Sequence, residues 1–253
     1  MKNQHIDQHN IEIQKNLKSW ENKPLLKLVY QEFYRQIHQC VNYTIDGQIV
    51  ELGSGIGNIK TEIPKAICTD IFENPWIDRV ENAYQLSFQS NSLSNLILFD
   101  VFHHIEYPGN ALAEFHRVLK PEGRVIIFDP SMGMTGLFVY GIFHHEPVAL
   151  LKKINWIAPK DFDPWKSSYY AAQGNAGRIF SGRKYRNNLN QWQIIKKQRF
   201  SALSYILSGG YSKPSLLGIR QHHIIKGIEK TLDRFPRIFS TRLLIVLQKK
   251  AAD

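Results

Sequence analysis

The 253-residue chain has only two cysteines, Cys40 and Cys68, without metal-ligand spacing. That excludes a disulfide-stapled scaffold and a cysteine zinc site, and it suits a reducing compartment, so a cytoplasmic location is expected. No window approaches the ~18 consecutive apolar residues that a bilayer-spanning helix needs. The opening residues, Met1-Lys2-Asn3-Gln4-His5, run into polar sequence with no apolar stretch of signal-peptide length. Repeats and low-complexity tracts are absent. Acidic residues are scarce in one half only. Residues 1–150 carry 12 Lys/Arg against 17 Asp/Glu, a balance of −5, whereas residues 151–253 carry 20 against 5, a balance of +15. The net charge of +10 therefore belongs to the C-terminal part, as if that part faced an anionic partner.

What is present is a hydrophobic fraction of 43% with 14 Phe, 11 Tyr and 5 Trp, ample for the core of one α/β domain. Residues 1–19 are polar and are expected to form a poorly ordered tail. From Pro24 the residues Leu25, Leu28, Val29, Phe33 and Ile37 recur at helical spacing, predicting a helix that ends before Asp46-Gly47. Residues 48–52 read as a short strand, 66–70 as a second and 78–81 as a brief third. Residues 96–100 form a continuous apolar run, as in a strand buried on both faces. Residues 111–119 read as a helix, Lys120-Pro121-Glu122-Gly123 as a turn and 124–128 as the next strand. Two late strands are expected at 191–200 and 242–248. This alternation predicts an α/β fold with a mostly parallel sheet covered by helices on both faces. The expected layout is one domain over 20–253, with a core at 48–130 and additions at 131–190 and 201–240.

Strand, glycine-rich turn, then helix start is the arrangement that brings backbone N–H groups close to a ligand. Gly53, Gly55 and Gly57 supply the turn, Glu51 precedes it, and Asp70 ends the following strand, where a carboxylate can accept two ribose hydroxyls. Asn82-Ala83 follows the third strand, where a side-chain amide can meet an adenine amine. A nicotinamide dinucleotide would use a similar loop, but the spacing here is G-x-G-x-G rather than G-x-G-x-x-G.

Several stretches together resemble the small-molecule class I methyltransferases that share the ubiquinone-biosynthesis-like methyltransferase domain. They are Val50-Glu51-Leu52-Gly53-Ser54-Gly55-Ile56-Gly57, Ala83-Tyr84-Gln85-Leu86-Ser87-Phe88, Phe99-Asp100-Val101-Phe102-His103-His104 and Arg117-Val118-Leu119-Lys120-Pro121-Glu122-Gly123-Arg124. The resemblance covers about residues 48–130. It implies a Rossmann-like class I methyltransferase fold, a seven-stranded sheet with its last strand antiparallel, and S-adenosyl-L-methionine as cofactor. It further implies a cofactor site lined by Glu51, Gly53, Ser54, Gly55, Gly57, Asp70, Ile71, Asn82, Ala83, Asp100, Val101 and Phe102. Asn82 stands where the family commonly has Asp. The short link from Gly57 to Asp70 implies that the first helix is reduced to a turn or so. A bacterial subgroup shares that short link together with segments like His144-His145-Glu146-Pro147 and Leu207-Ser208-Gly209-Gly210.

Methyl transfer from a sulfonium needs mainly alignment of nucleophile and methyl group, and a general base only if the nucleophile must lose a proton. His103 and His104 fall where the fourth strand ends and are the candidate bases, with a loop-shaping role as the competing reading, favoured for His104. His144, His145 and Glu146 lack the spacing of a metal site, and no metal is expected. The expected reaction is methylation, at an oxygen, of a small-molecule, saccharide or lipid-linked acceptor. A nicotinamide-dependent oxidoreductase and a catalytically silent methyltransferase-like binding module are the alternatives. Nucleic acid is disfavoured as a partner, because no RNA-binding module and no Asn/Asp-Pro-Pro-aromatic signature is present. Arg178, Arg183, Lys184, Arg186, Lys196, Lys197 and Arg199, interleaved with Phe180, Tyr185, Trp192 and Phe200, and the apolar and basic residues of 216–239, suggest peripheral contact with an anionic membrane or with a phosphate-bearing lipid carrier.

Overall fold

A computed structural model describes residues 2–143, 152–166 and 175–251. His144-His145-Glu146-Pro147 lies outside the described residues. The helices are α1 (Lys2–Asn22), α2 (Pro24–His38), α3 (Pro108–Val118), α4 (Met134–Phe143), α5 (Asn175–Phe180), α6 (Leu203–Leu207), α7 (His222–Leu232) and α8 (Pro236–Phe239). The strands are β1 (Gln48–Leu52), β2 (Ile67–Asp70), β3 (Arg79–Val80), β4 (Leu93–Phe99), β5 (Leu119–Pro130), β6 (Trp192–Phe200) and β7 (Arg242–Lys249). They form a seven-stranded sheet in the order β3-β2-β1-β4-β5-β7-β6. β1 to β5 pair in parallel, and β7 runs antiparallel to both β5 and β6.

Alternation along the central strands divides the core into two layers. Leu96, Leu98, Val125, Ile127, Leu243 and Ile245 face Leu112 and Phe115 of α3 and Ile179 and Phe180 of α5. Ile97, Phe99, Ile126, Phe128, Leu244 and Val246 face the apolar stripe of α2 from Leu25 to Ile37. Successive side chains of a strand point to opposite faces, so apolar runs such as Leu-Ile-Leu-Phe in β4 are what a doubly covered sheet requires. Phe33 and Phe99 stand 4.9 and 5.1 Å from Phe128, ring centre to ring centre, beneath the carboxyl ends of β4 and β5.

The structure departs from the sequence-based expectation in places. Residues 2–22 are helical, where a loose tail is expected, because Ile13 and Trp20 are apolar anchors that bury themselves beside α2. α2 stops at His38 because the backbone of Asn42 is taken by the Asn95 amide, which accepts its N–H at 2.8 Å and donates to its C=O at 3.0 Å. Lys120-Pro121-Glu122-Gly123 is a bulge inside β5 rather than a turn before it. Leu119 and Arg124 pair with Leu93 and Asn95, and Glu122, not Gly123, takes the positive φ of 62°. Gly123 is needed for space, since a Cβ there would sit 2.8 Å from the Lys120 carbonyl oxygen. The aromatics that alternate with cations after residue 178 do not form a surface either: Phe180, Tyr185 and Trp192 are core residues, and Phe200 stacks on Phe128 at 5.9 Å.

Lys249 closes the far end of the sheet. Its ammonium donates to Asn91 Oδ1 at 2.8 Å and to the carbonyls of His116 and Leu119 at 2.7 Å each, at the C-terminal end of α3. Lys249→Met keeps the stem and removes three charge-assisted bonds. Urea denaturation should find the variant destabilised by about 2–3 kcal/mol, whereas a solvated lysine would change stability by less than about 0.5 kcal/mol.

Candidate active site

The turn after β1 holds three glycines in the left-handed region, with φ of 67° at Gly53, 54° at Gly55 and 69° at Gly57. Their surroundings differ. A Cβ on Gly53 would lie 2.3 Å from Val101 Cγ2, and one on Gly57 would lie 2.9 Å from the Trp76 carbonyl oxygen. A Cβ on Gly55 would meet nothing within 4 Å among the described residues. The outer two glycines let the chain close on itself, and the middle one opens onto space that a ligand can fill. One short 3-10 turn, Asn58–Thr61, follows the loop, as the short link to Asp70 implies.

Side chains at the ends of β1 and β2 tie this loop down. Asp70 Oδ2 accepts the Gly55 N–H at 3.1 Å and Oδ1 accepts the Ile71 N–H at 2.7 Å. The Ser54 hydroxyl donates to the Glu51 carbonyl at 3.2 Å and accepts the Thr69 N–H at 3.1 Å, so its contacts here are struts between β1 and β2. Glu51 itself is 1% exposed. Burial pushes its carboxyl up to about 8; the Ser54 and Tyr34 hydroxyls pull it the other way, and the charge of Asp70 adds to the rise. Tyr30 and Tyr34 of α2 are buried in the core layer on that side of the sheet.

Asn82 is buried at the next position round. Its oxygen accepts the Tyr84 N–H at 2.9 Å, and its amine donates to the Pro164 carbonyl at 2.8 Å. Trp165 Nε1 reaches Gln85 Oε1 at 3.1 Å, and Phe162 packs on Tyr84 and Tyr107 at 5.1 and 4.8 Å. Residues 156–165 therefore lie against 82–85 and 107–110, where the Trp156 carbonyl also accepts the Gly109 N–H at 2.8 Å. A cleft of about 480 Å³ opens here between α3 and residues 158–164, lined by Tyr84, Asn110 and Phe162 among others. It includes none of Gly53, Gly55, Gly57, Asp70 or His103, so its size alone does not make it the reactive site.

The chemistry-bearing side chains gather instead where β4, β5 and β7 meet. Asp100 leaves β4 at a φ of 55° and pairs with the guanidinium of Arg242, the first residue of β7. His103 lies in a 3-10 turn, Phe102–His104, with Nδ1 3.1 Å from Asp129 Oδ1 at the end of β5. Both partners are buried, and the second oxygen of Asp129 has no hydrogen-bond partner among the described residues. The His104 ring stacks beside His103 with centres 3.9 Å apart. Asp100, His103 and Asp129 each bring one ligand-type atom within 4.8 Å of the others. A guanidinium already neutralises Asp100, so the group reads as an Asp100–Arg242 ion pair beside a His103–Asp129 acid–base pair and not as a cation cage.

Asp129 and Arg242 escape a reading of the sequence. Asp129 ends an apolar strand, and Arg242 opens another more than a hundred residues later. Only the β5–β7 pairing, Asp129 with Leu243 and Pro130 with Arg242, brings them to one place.

Residues 50–127 match a family model described as a methyltransferase domain. The match spans β1 to most of β5 and includes the glycine loop, Asp70, Asn82, Asp100 and both histidines. Among curated proteins nothing matches. Solved structures similar to the chain include a SAM-dependent methyltransferase from Archaeoglobus fulgidus, 13% identical with a TM-score of 0.52, covering 92% of this chain and 98% of that one. Geranyl diphosphate C-methyltransferase from Streptomyces coelicolor A3(2), in complex with Mg2+, geranyl diphosphate and S-adenosyl-L-homocysteine, is 13% identical with a TM-score of 0.51, covering 87% and 79%. At that identity these two speak for the fold, and the family match speaks for the domain. The open space at Gly55 and the carboxylate at the end of β2 fit an adenosyl cofactor.

Two outcomes follow from this geometry. Gly55→Val should abolish S-adenosylhomocysteine binding in isothermal titration and cost stability through backbone strain at its φ of 54°, whereas Gly57→Val should be the more destabilised, because its Cβ would also meet the Trp76 carbonyl oxygen. Asp70→Ala should weaken binding by roughly 1.5–3 kcal/mol; unchanged affinity would remove Asp70 from the site. The second outcome concerns pH. Folded Glu51 keeps its proton up to about pH 8, while in the unfolded chain it ionises near 4.5. Its contribution is therefore fully present below the unfolded value and lost as pH rises toward 8. Thermal unfolding of the cofactor-free protein should show stability falling across that window, and Glu51→Gln should flatten the fall.

Proposed function

We propose that this protein, a class I S-adenosylmethionine-dependent methyltransferase, methylates a hydroxyl oxygen on a small-molecule, saccharide or lipid-linked acceptor. The cofactor, when bound, supplies a methyl group already activated on a sulfonium. Glu51, Gly53, Ser54, Gly55, Gly57, Asp70, Ile71, Asn82, Ala83, Asp100, Val101 and Phe102 would hold it: the loop by backbone approach, Asp70 as the ribose acceptor and Asn82 at the adenine edge. Within the 131–190 addition, residues 156–165, laced to residues 82–85 and 107–110, and with them the 201–240 connection, would shape the acceptor side.

The observation that carries the oxygen reading is the buried His103–Asp129 pair. A carboxylate accepts and does not donate, so Asp129 holds the proton on His103 Nδ1 and makes Nε2 the basic nitrogen. An acceptor hydroxyl gives its proton to Nε2 as the oxygen attacks, and the imidazolium that forms is stabilised by Asp129. The unpartnered Asp129 oxygen offers a second acceptor in the same place. His104 supports the ring of His103 and shapes the turn. Arg242, clamped on Asp100, keeps that carboxylate from competing for the His103 proton. An amine already neutral attacks through its free lone pair and has less use for such a pair than a hydroxyl, which must lose its proton. The nicotinamide and silent-module readings gain nothing from the family match. Among the described residues no helix is long and apolar enough to cross a membrane. Buried Cys40 and Cys68, with Cys68 pushed up to about 12 chiefly by burial, fit work in a reducing cytoplasm.

His103→Gln and Asp129→Asn should each lower the single-turnover rate by about 10²–10⁴-fold with S-adenosylhomocysteine affinity preserved. The assay is transfer of labelled methyl to free saccharides, phenols and polyprenyl-phosphate sugars. A rate unaffected by either change would remove the base, and the oxygen assignment with it. His104→Gln should lower stability and cofactor affinity together with rate.

A further inference from the structure

α7 is amphipathic the wrong way round. A surface helix ordinarily turns its apolar stripe to the core and its charges to water. Here His222 and Glu229 join Ile225 on the buried side, while Ile224 is 68% exposed and Ile228, one turn on, is also exposed. The exposed apolar series continues along the chain on both sides of the helix, through Leu216 and Ile219 before it and Phe235 and Ile238 after it. Met134 and Leu137 of α4, which packs on α8, are exposed as well.

Charge on this segment is sorted just as sharply. Its two acids are spent inside: Glu229 accepts the Ser204 N–H and hydroxyl at 2.7 and 2.6 Å and pairs with Lys226 at 2.7 Å, and Asp233 accepts the Ser201 N–H at 2.7 Å. Arg220, Lys230, Arg234 and Arg237 remain exposed with no acid exposed among them. The cations of β6 have a structural use on an edge strand, where they discourage further strand pairing. Arg220, Lys230, Arg234 and Arg237 make no ion pair among the described residues.

We propose that the α7–α8 face docks on an anionic lipid surface. Isoleucine and phenylalanine side chains enter the region between headgroups and acyl chains, and arginine and lysine meet the lipid phosphates around them. A second copy of this chain fits poorly, because self-pairing would set these four cations against their own counterparts. Nucleic acid fits poorly too, because Ile224, Ile228 and Phe235 offer nothing to phosphate. The face also adjoins the candidate active site. α8 leads through Ser240 and Thr241 into Arg242, and α4 follows Asp129 through Ser131, whose hydroxyl is 2.8 Å from that of Ser240. The docking proposal stands apart from the methyl-transfer reading, since binding is measured without acceptor or turnover.

The test is co-sedimentation of the full chain with phosphatidylcholine vesicles, with and without phosphatidylglycerol. Binding should require the anionic lipid and weaken when raised salt shortens the screening length from ~10 to ~3 Å. Ile224→Glu with Ile228→Glu should reduce the bound fraction about tenfold or more, and so should Arg234→Glu with Arg237→Glu. All four positions are exposed, so the variants should keep the thermal shift given by S-adenosylhomocysteine, which certifies the fold. Absence of wild-type binding would overturn the proposal. So would binding indifferent to the isoleucine changes, or a dimer in sedimentation velocity that the same changes dissolve.

Discussion

A guanidinium taken out of water loses several kcal/mol of solvation unless it is paired, and Arg242 is one of the largest fully buried side chains of this fold. Asp100 pairs it, and the rings of Tyr205 and Phe33 lie 4.2 and 5.8 Å from its charge. Burial pulls the guanidinium down, but Asp100 and the nearby tyrosines raise it well above its ordinary range, so the charge persists. The pair reaches from β7 across to the end of β4, over the intervening strand β5. That span brings Asp129, at the end of β5, under the same roof as Asp100 and His103. Without it the buried carboxylates would face one another unbalanced.

Parallel pairing adds a second constraint. β1, β4 and β5 are covered on both faces, so polar groups with chemistry to do collect at the strand ends. The glycine loop and Asp70 occupy the ends of β1 and β2, and the histidine turn and Asp129 occupy those of β4 and β5. The two halves touch at Val101, whose methyl group fills the space left by the missing side chain of Gly53. Glycine loop and histidine turn are therefore joined at this contact, and a change at Gly53 would disturb both.

The basic half of the chain has several uses. Lys249 satisfies carbonyls at the end of α3, Arg242 serves the cluster, Lys226 sits between Glu32 and Glu229, and the β6 cations guard an edge. Of the rest, Arg220, Lys230, Arg234 and Arg237 lie on the α7–α8 face beside exposed isoleucines, while Lys152, Lys153, Lys160, Arg183, Lys184 and Arg186 are exposed elsewhere. The charge asymmetry is real, but only a part of it faces outward as a surface for a partner.

Much of the fold is legible in the residues. Apolar runs at β4, β5 and β7, helical spacing from Leu25 to Ile37, and glycines between β1 and β2 each report a local preference that the tertiary structure has no reason to oppose. The same holds for Glu51, Gly55 and Asp70, which lie close together in sequence. Other features depend on distant contacts and leave no local trace. Residues 2–22 read as a polar tail because the two anchors that hold their helix, Ile13 and Trp20, are too few to make a pattern. The bulge at Lys120–Gly123 looks like a turn because its residues suit both, and only pairing with β4 tells them apart. His103 is visible in the sequence as a candidate, but its partner is not. Asp129 and Arg242 become a site through strand register, and which isoleucines of α7 face outward depends on Glu229 finding Ser204 within the fold. The sequence by itself determined the layers, the strand order's starting motif and the cofactor loop, because those rest on short-range periodicity. Only the tertiary structure decided which charges are buried in pairs and which meet the solvent, because the cost of burying a charge depends on partners that the chain brings together from far apart.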